Sequence, residues 1–238
     1  MALPQINNTP YYDITIPSTG EKTRFRPYLV KEEKILLIAY ETQDVTQIAN
    51  AMLHIIDSCV ETINTLKITT FDMEYIFLQI RSKAVGENVD LKIFCKGSEC
   101  MEQVDVKVNI SEIAIVMPEN KNDIIELSED MSIELKYPAY KAIASNKLIM
   151  ENESEIEILY ETIYECLNIL HSKDERIIFA DETHEEISNF IGNLNTKQLR
   201  KIQDFVESIP VISKDVTFTC EKCNTESTER LQGTSDFF

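Results

Sequence analysis

Two close cysteine pairs constrain this chain more than any other feature: Cys95-Lys-Gly-Ser-Glu-Cys100 near the middle and Cys220-Glu-Lys-Cys223 close to the C-terminus. Each follows an alternating, strand-like run, Val89-Asp-Leu-Lys-Ile-Phe94 before the first and Asp215-Val-Thr-Phe-Thr219 before the second, the setting in which zinc-ribbon knuckles are mounted. Four thiolates in a tetrahedron satisfy zinc and leave no position for water or substrate. Cys95, Cys100, Cys220 and Cys223 are therefore expected to hold one structural zinc ion that clasps distant parts of the chain. Joining them closes a loop of roughly 120 residues at a cost of about 4 kcal/mol, which structural zinc, worth roughly 10 kcal/mol or more in small peptides, offsets. The first spacing is a loose Cys-x4-Cys, and Asn224 stands where a knuckle usually has glycine; asparagine tolerates the left-handed conformation next best. The competing reading leaves the four as unlinked surface thiols.

A thioredoxin-type motif would need its first thiol at a helix N-terminus, yet Cys223 is followed by Asn-Thr-Glu-Ser-Thr and Arg230-Leu-Gln-Gly233, which reads as a hairpin. Disulfides need an oxidising compartment. The opening Met-Ala-Leu-Pro-Gln-Ile-Asn-Asn-Thr-Pro has neither a basic leader nor an apolar run, so the expectation is a cytosolic protein. Cys59 and Cys166 fall within helical patterns and read as small buried side chains.

The net charge of −18 argues against general nucleic-acid binding, because affinity for phosphates comes from lysine and arginine displacing counterions. Acids concentrate between Glu119 and Glu165, twelve against four lysines, while Lys22, Arg24, Arg26, Lys31 and Lys34 give the N-terminal region a basic excess. The acidic stretch is a solvated face, or one end of a charge gradient that steers docking onto protein partners. No apolar run approaches the roughly 20 residues that cross a bilayer.

Strand signals open the chain: Tyr12-Asp-Ile-Thr-Ile16, a turn at Pro17-Ser-Thr-Gly20, then Thr23-Arg-Phe-Arg26. A helix follows from Pro27 through Ile35-Leu-Leu-Ile-Ala39, and a second is capped by Asp44 with Gln47 three residues on. A third begins at Thr69 or Thr70 and runs through Phe71 to Ser82, ended by Gly86. Alternation predicts strands over 89–94 and 103–110, with shorter ones at 124–127 and 131–135. Beyond Pro138 the pattern is helical: capping at Ser154, Thr183 and Asn195 announces three helices, the first running through Leu167 and Leu170, the last ended by Pro210. The expected organisation is α+β, one interlocked unit in preference to two lobes. Its segments are an N-terminal hairpin with helices (1–87), a β-rich segment with the first knuckle (88–137), a helical insertion (138–210), and the second knuckle with the tail (211–238).

Reaction chemistry is not signalled. His54, His171 and His184 sit on helices or their edges with no nucleophile partner, and no phosphate-cradling glycine motif occurs among the five glycines. A non-enzymatic role is expected, with no small-molecule substrate. At the end, Phe237 and Phe238 leave two aromatics on a tail, which either folds back on the protein's own core or inserts into a partner's groove.

Ile16-Pro-Ser-Thr-Gly20, Arg26-Pro-Tyr-Leu-Val-Lys-Glu-Glu-Lys-Ile-Leu-Leu37, Phe71-Asp-Met-Glu-Tyr75, Arg81-Ser-Lys-Ala-Val-Gly86 and the ending Gly233-Thr-Ser-Asp-Phe-Phe238 give the chain a resemblance to the T-even-type bacteriophage baseplate family over most of its length. The resemblance implies a chaperone-like or structural protein of baseplate hub assembly, working in the host bacterial cytoplasm and either leaving after assembly or retained in the tail. It implies other hub proteins as partners; the N-terminal hairpin and the segment from Arg26 to Leu37, Arg26, Pro27 and Tyr28 foremost, are expected to dock them together with Phe237 and Phe238 of the tail, while charge and hydropathy argue for neither nucleic acid nor membrane. The alternative is a zinc-ribbon nucleic-acid module, suggested by the four cysteines and the local basic cluster.

Overall fold

The computed structural model describes residues 9–97, 100–118, 123–146, 154–173 and 175–237. Its contacts divide the chain into two compact units, one built from Met1–Thr65, Phe71–Val116 and Val211–Phe238, the other from Leu66–Thr70 and Met117–Pro210. The class is α+β.

In the first unit, strands β1 (Tyr12–Thr15) and β2 (Lys22–Phe25) form the expected antiparallel hairpin, turned at Gly20 with φ +71°. Helices α1 (Val30–Thr42), α2 (Val45–Cys59) and α3 (Thr70–Ala84) follow. The Asp44 carboxylate accepts the Gln47 N–H at 3.0 Å, satisfying an amide that has no partner inside α2. Hydrogen bonds from the Arg26 N–H to Cys59 O and from the Glu61 N–H to Arg24 O lay the chain after α2 against β2. Ile55 and Ile56 of α2 and Ile76, Phe77, Leu78 and Ile80 of α3 are completely buried.

Two further hairpins complete this unit: β3 (Asn88–Phe94) with β4 (Gln103–Asn109), and β9 (Ser213–Thr219) with β10 (Glu226–Gln232). Each is a separate two-stranded sheet. They share one apolar core, in which Val89, Ile93, Val106 and Val108 of the first hairpin meet Val216, Phe218 and Leu231 of the second. A lone hairpin is marginal in water; pooling their inward faces stabilises both.

The second unit holds the four-stranded antiparallel sheet β5 (Ile124–Ser128), β6 (Met131–Leu135), β7 (Leu167–Ser172) and β8 (Arg176–Ile178), in that order. Its helices are α4 (Tyr140–Ser145), α5 (Glu155–Cys166), α6 (His184–Gly192) and α7 (Thr196–Glu207). Ser154, Thr183 and Asn195 cap α5, α6 and α7 as the spacing requires. Ile163, Ile187, Ile191, Ile202 and Phe205 from these helices pack with Ile125, Ile133, Leu135 and Leu167 of the sheet.

The expectation of one unit in preference to two lobes gives way to these two compact units, and a second expectation also fails. The helix from Ser154 was expected to continue through Leu170, but α5 stops at Cys166 and the chain turns into β7, which moves His171 from a helix end to a strand. Ile163, Leu167 and Leu170 have helical spacing, whereas Leu167 and Ile169 also alternate. The open edge of β6 decides: Ile133 pairs with Leu170 and Glu134 with Ile169, satisfying backbone groups that a continued helix would leave bare.

Candidate metal centre

The two knuckles are the turns of the hairpins β3–β4 and β9–β10, and each is closed by one backbone bond across its neck. Cys95 N–H donates to Glu102 O at 2.9 Å, and Cys220 N–H to Thr225 O at 3.0 Å. Asn224, with φ 55°, takes the left-handed position expected of it. The hairpins present their turns to each other, so all four sulfurs lie within 4.8 Å of one another. Across the gap, Cys95 Sγ is 3.5 Å from Cys223 Sγ, and Cys100 Sγ is 3.7 Å from Cys220 Sγ. A disulfide needs about 2.05 Å, and all six cysteines are free.

These separations suit a metal. Zinc–sulfur bonds of about 2.3 Å in a tetrahedron set sulfurs about 3.8 Å apart, so the donor set fits a zinc ion in both chemistry and spacing. Cys95, Cys100 and Cys220 are buried and only Cys223 is exposed. Without a cation, four sulfurs this close cannot all ionise. Cys223 ionises first: its thiol is held down to about 6, foremost by the Thr225 hydroxyl, which lies 3.2 Å away, and then by the Thr225 amide. Cys95 is pushed up to about 12, the Gly97 amide favouring its thiolate but burial and the neighbouring thiols outweighing it. Cys100 is raised by the same balance, with the Glu102 backbone on the losing side. A divalent cation would let all four ionise by stabilising every thiolate.

Three features beyond the cysteines hold the knuckles in place. Gly97 donates its N–H to Cys95 Sγ at 3.3 Å, and a Cβ there would stand 3.2 Å from Cys223 Sγ and 3.3 Å from Thr225 Oγ1. Lys96, on the first knuckle, reaches the second hairpin, donating to Thr228 O at 3.1 Å and pairing with Glu229. Lys222, on the second, pairs with Glu102 of the first at 2.6 Å. The two lysines thus clamp the hairpins reciprocally. Their spacing to the cysteines carried no signal, because an isolated charge in a sequence does not name its partner.

The residues expected to meet partners have other placements. Arg26 donates to Glu32 Oε1 at 2.9 Å, to Ser58 O at 3.0 Å and to Pro27 O at 3.0 Å, so its guanidinium joins the start of α1 to the end of α2. Pro27 is buried and Tyr28 half-buried. Phe237 is completely buried in the core shared by the two hairpins, the first of the two alternatives for the tail. Phe238 lies outside the described residues. The basic cluster is largely neutralised: Arg24 forms two bonds to Glu61, and Arg26 and Lys31 share Glu32.

Two of the three histidines differ from expectation. His54 is exposed on α2, as its place off the apolar stripe required. His184 is not without company: its ring stacks on Tyr164 at 4.6 Å, and Nε2 lies 3.4 Å from Glu161. His171 Nε2 stands 3.4 Å from Glu134 on the neighbouring strand. Tyr137 stacks on Phe205, a packing role.

A family model described as T4 bacteriophage base plate protein matches residues 9–238. No curated protein and no solved structure matches the chain.

Proposed function

The chain belongs to the T4 bacteriophage baseplate protein family, and from that membership we propose that it acts in assembly of the baseplate hub, through protein–protein contacts and not as an enzyme. The observation that carries this reading is the extent of the match, from residue 9 to the last residue, which takes in the N-terminal hairpin, both knuckles and the region between them. Assembly takes place in the host cytoplasm, and the protein is either released afterwards or kept in the tail.

Within this reading Cys95, Cys100, Cys220 and Cys223 hold a structural zinc ion. Zinc bound by four thiolates supplies a cross-link and no reactive position. Its function is to fix two hairpins, distant in sequence, as one rigid element. The pairing of Arg24, Arg26 and Lys31 with carboxylates favours protein partners over the alternative of a nucleic-acid module, since cations already engaged release fewer counterions on binding phosphate.

The test is hub assembly from the phage's own hub proteins, with and without this chain. The reading expects complete hubs only in its presence. Mass spectrometry of finished particles then separates the two forms of the role: present if structural, absent if chaperone-like. Normal hub formation without the chain would refute both.

A further inference from the structure

A surface helix ordinarily turns an apolar stripe inward and a polar face outward, and α1 departs from this. It buries Glu32, Leu36 and Ala39, yet leaves Val30, Leu37 and Ile38 exposed by 78, 58 and 51%, with Val45, at the start of α2, exposed by 47%. At about 100° per residue, Val30, Lys34, Leu37, Ile38 and Glu41 fall in one sector of roughly 100°, opposite the buried stripe. Lys34 and Glu41 are exposed, and neither side chain has an ion pair or hydrogen bond among the described residues.

The order of side chains along this face is self-complementary. Measured along α1 from the midpoint between Leu37 and Ile38, Lys34 and Glu41 are equidistant. A two-fold axis through that midpoint, with two helices antiparallel, sets apolar against apolar and cation against anion, each contact made twice. The whole chain carries −18 and repels its own copy at long range, whereas this sector is neutral. A basic partner helix would oppose Lys34, and an acidic one Glu41.

We propose that this face is an interface between two copies of the chain, α1 packed antiparallel on α1, with Lys34 of each copy opposite Glu41 of the other. The contact is separate from the knuckles and does not depend on the reading of the protein's function. Light scattering and sedimentation of the full chain then give a mass that rises with concentration toward twice 27.4 kDa. Leu37→Glu, at an exposed position, abolishes the rise while leaving circular dichroism unchanged. Lys34→Glu and Glu41→Lys each weaken association by about tenfold, because each sets like charges together at two equivalent places. Mixed one to one, these two variants restore association as mixed dimers, and so does the double exchange in a single chain. A wild-type chain monomeric up to about 100 μM would overturn the proposal. So would a dimer indifferent to both reversals, or single variants that fail to combine on mixing.

Discussion

Replacing Phe237 by alanine tests whether the terminal aromatic belongs to this protein's core. The ring is 0% exposed and lies in one cluster with Leu78, Ile110, Ile212 and Phe218. The chain reaches that site through Gly233, whose φ of +66° a side chain would strain, and whose N–H donates to Ile212 O at 2.9 Å. The turn is closed by the Phe237 N–H on Thr234 O at 3.1 Å and by the Gln232 N–H on Asp236 Oδ2 at 2.7 Å. Truncating a fully buried phenylalanine costs about 3–5 kcal/mol, part transfer and part cavity, against a total of about 5–15 kcal/mol for a typical domain. For a chain of this size each kcal/mol moves the midpoint by about 2–4 °C, so a fall of about 10 °C is expected. Urea unfolding of the purified chain, with no partner present, measures it directly. A loss under about 1 kcal/mol, accompanied by lost binding to hub proteins, would refute the argument and return the ring to a partner's groove.

Glu74, on α3, provides a pH signature: burial holds its carboxyl up at about 7 despite the Thr234 amide. The native state then keeps a proton that the unfolded chain has released, so stability falls as pH rises from about 4.5 to 7, by roughly 3 kcal/mol in all. Glu74→Gln is expected to raise the unfolding free energy at pH 8 and leave it unchanged at pH 4, and an equal gain at both values would contradict the assignment. Glu32 behaves oppositely: burial works against its charge, but the Arg26 guanidinium and the Leu29 amide hold its carboxyl below the usual range. Its stabilisation is present above about pH 4.5 and is lost as pH falls through the lowered value. Glu32→Ala should cost about 3 kcal/mol at pH 7 by leaving Arg26 uncompensated, with the deficit shrinking in acid, as chemical denaturation across pH would record. Gly97→Ala should leave the fold intact but weaken metal binding by about tenfold in competition with a chelator, since the added methyl crowds Cys223 Sγ and Thr225 Oγ1; unchanged affinity would show that the knuckle yields.

Much of the four-cysteine cluster was legible because its signals are local. The cysteine pairs, the alternation leading into them and Asn224 after the second knuckle each specify a turn within a few residues. The helix starts at Asp44, Ser154, Thr183 and Asn195 were legible for the same reason, since a cap needs only its own first turn. What escaped depends on partners far away in sequence. Strand β7 exists because β6 offers an edge, and nothing between Ile163 and Leu170 ranks that edge above another turn of helix. The clamps from Lys96 to Glu229 and from Lys222 to Glu102, and the engagement of Arg24 by Glu61, are contacts of this kind. Ile35-Leu-Leu-Ile-Ala39 was recognised as helix, but an apolar run all round a helix does not disclose which side is buried. Two terminal phenylalanines read the same whether they face a core or a partner, and only the packing around Phe237 separates the cases.

The account turns on the four sulfurs acting as one ligand set. Its most direct test is zinc per chain, by elemental analysis of the purified protein beside Cys95→Ser, Cys220→Ser and Cys59→Ser. One zinc in the wild type and in Cys59→Ser, with none in the two knuckle variants, is the predicted result. A well-folded wild-type chain without zinc, or full zinc in either knuckle variant, would contradict it.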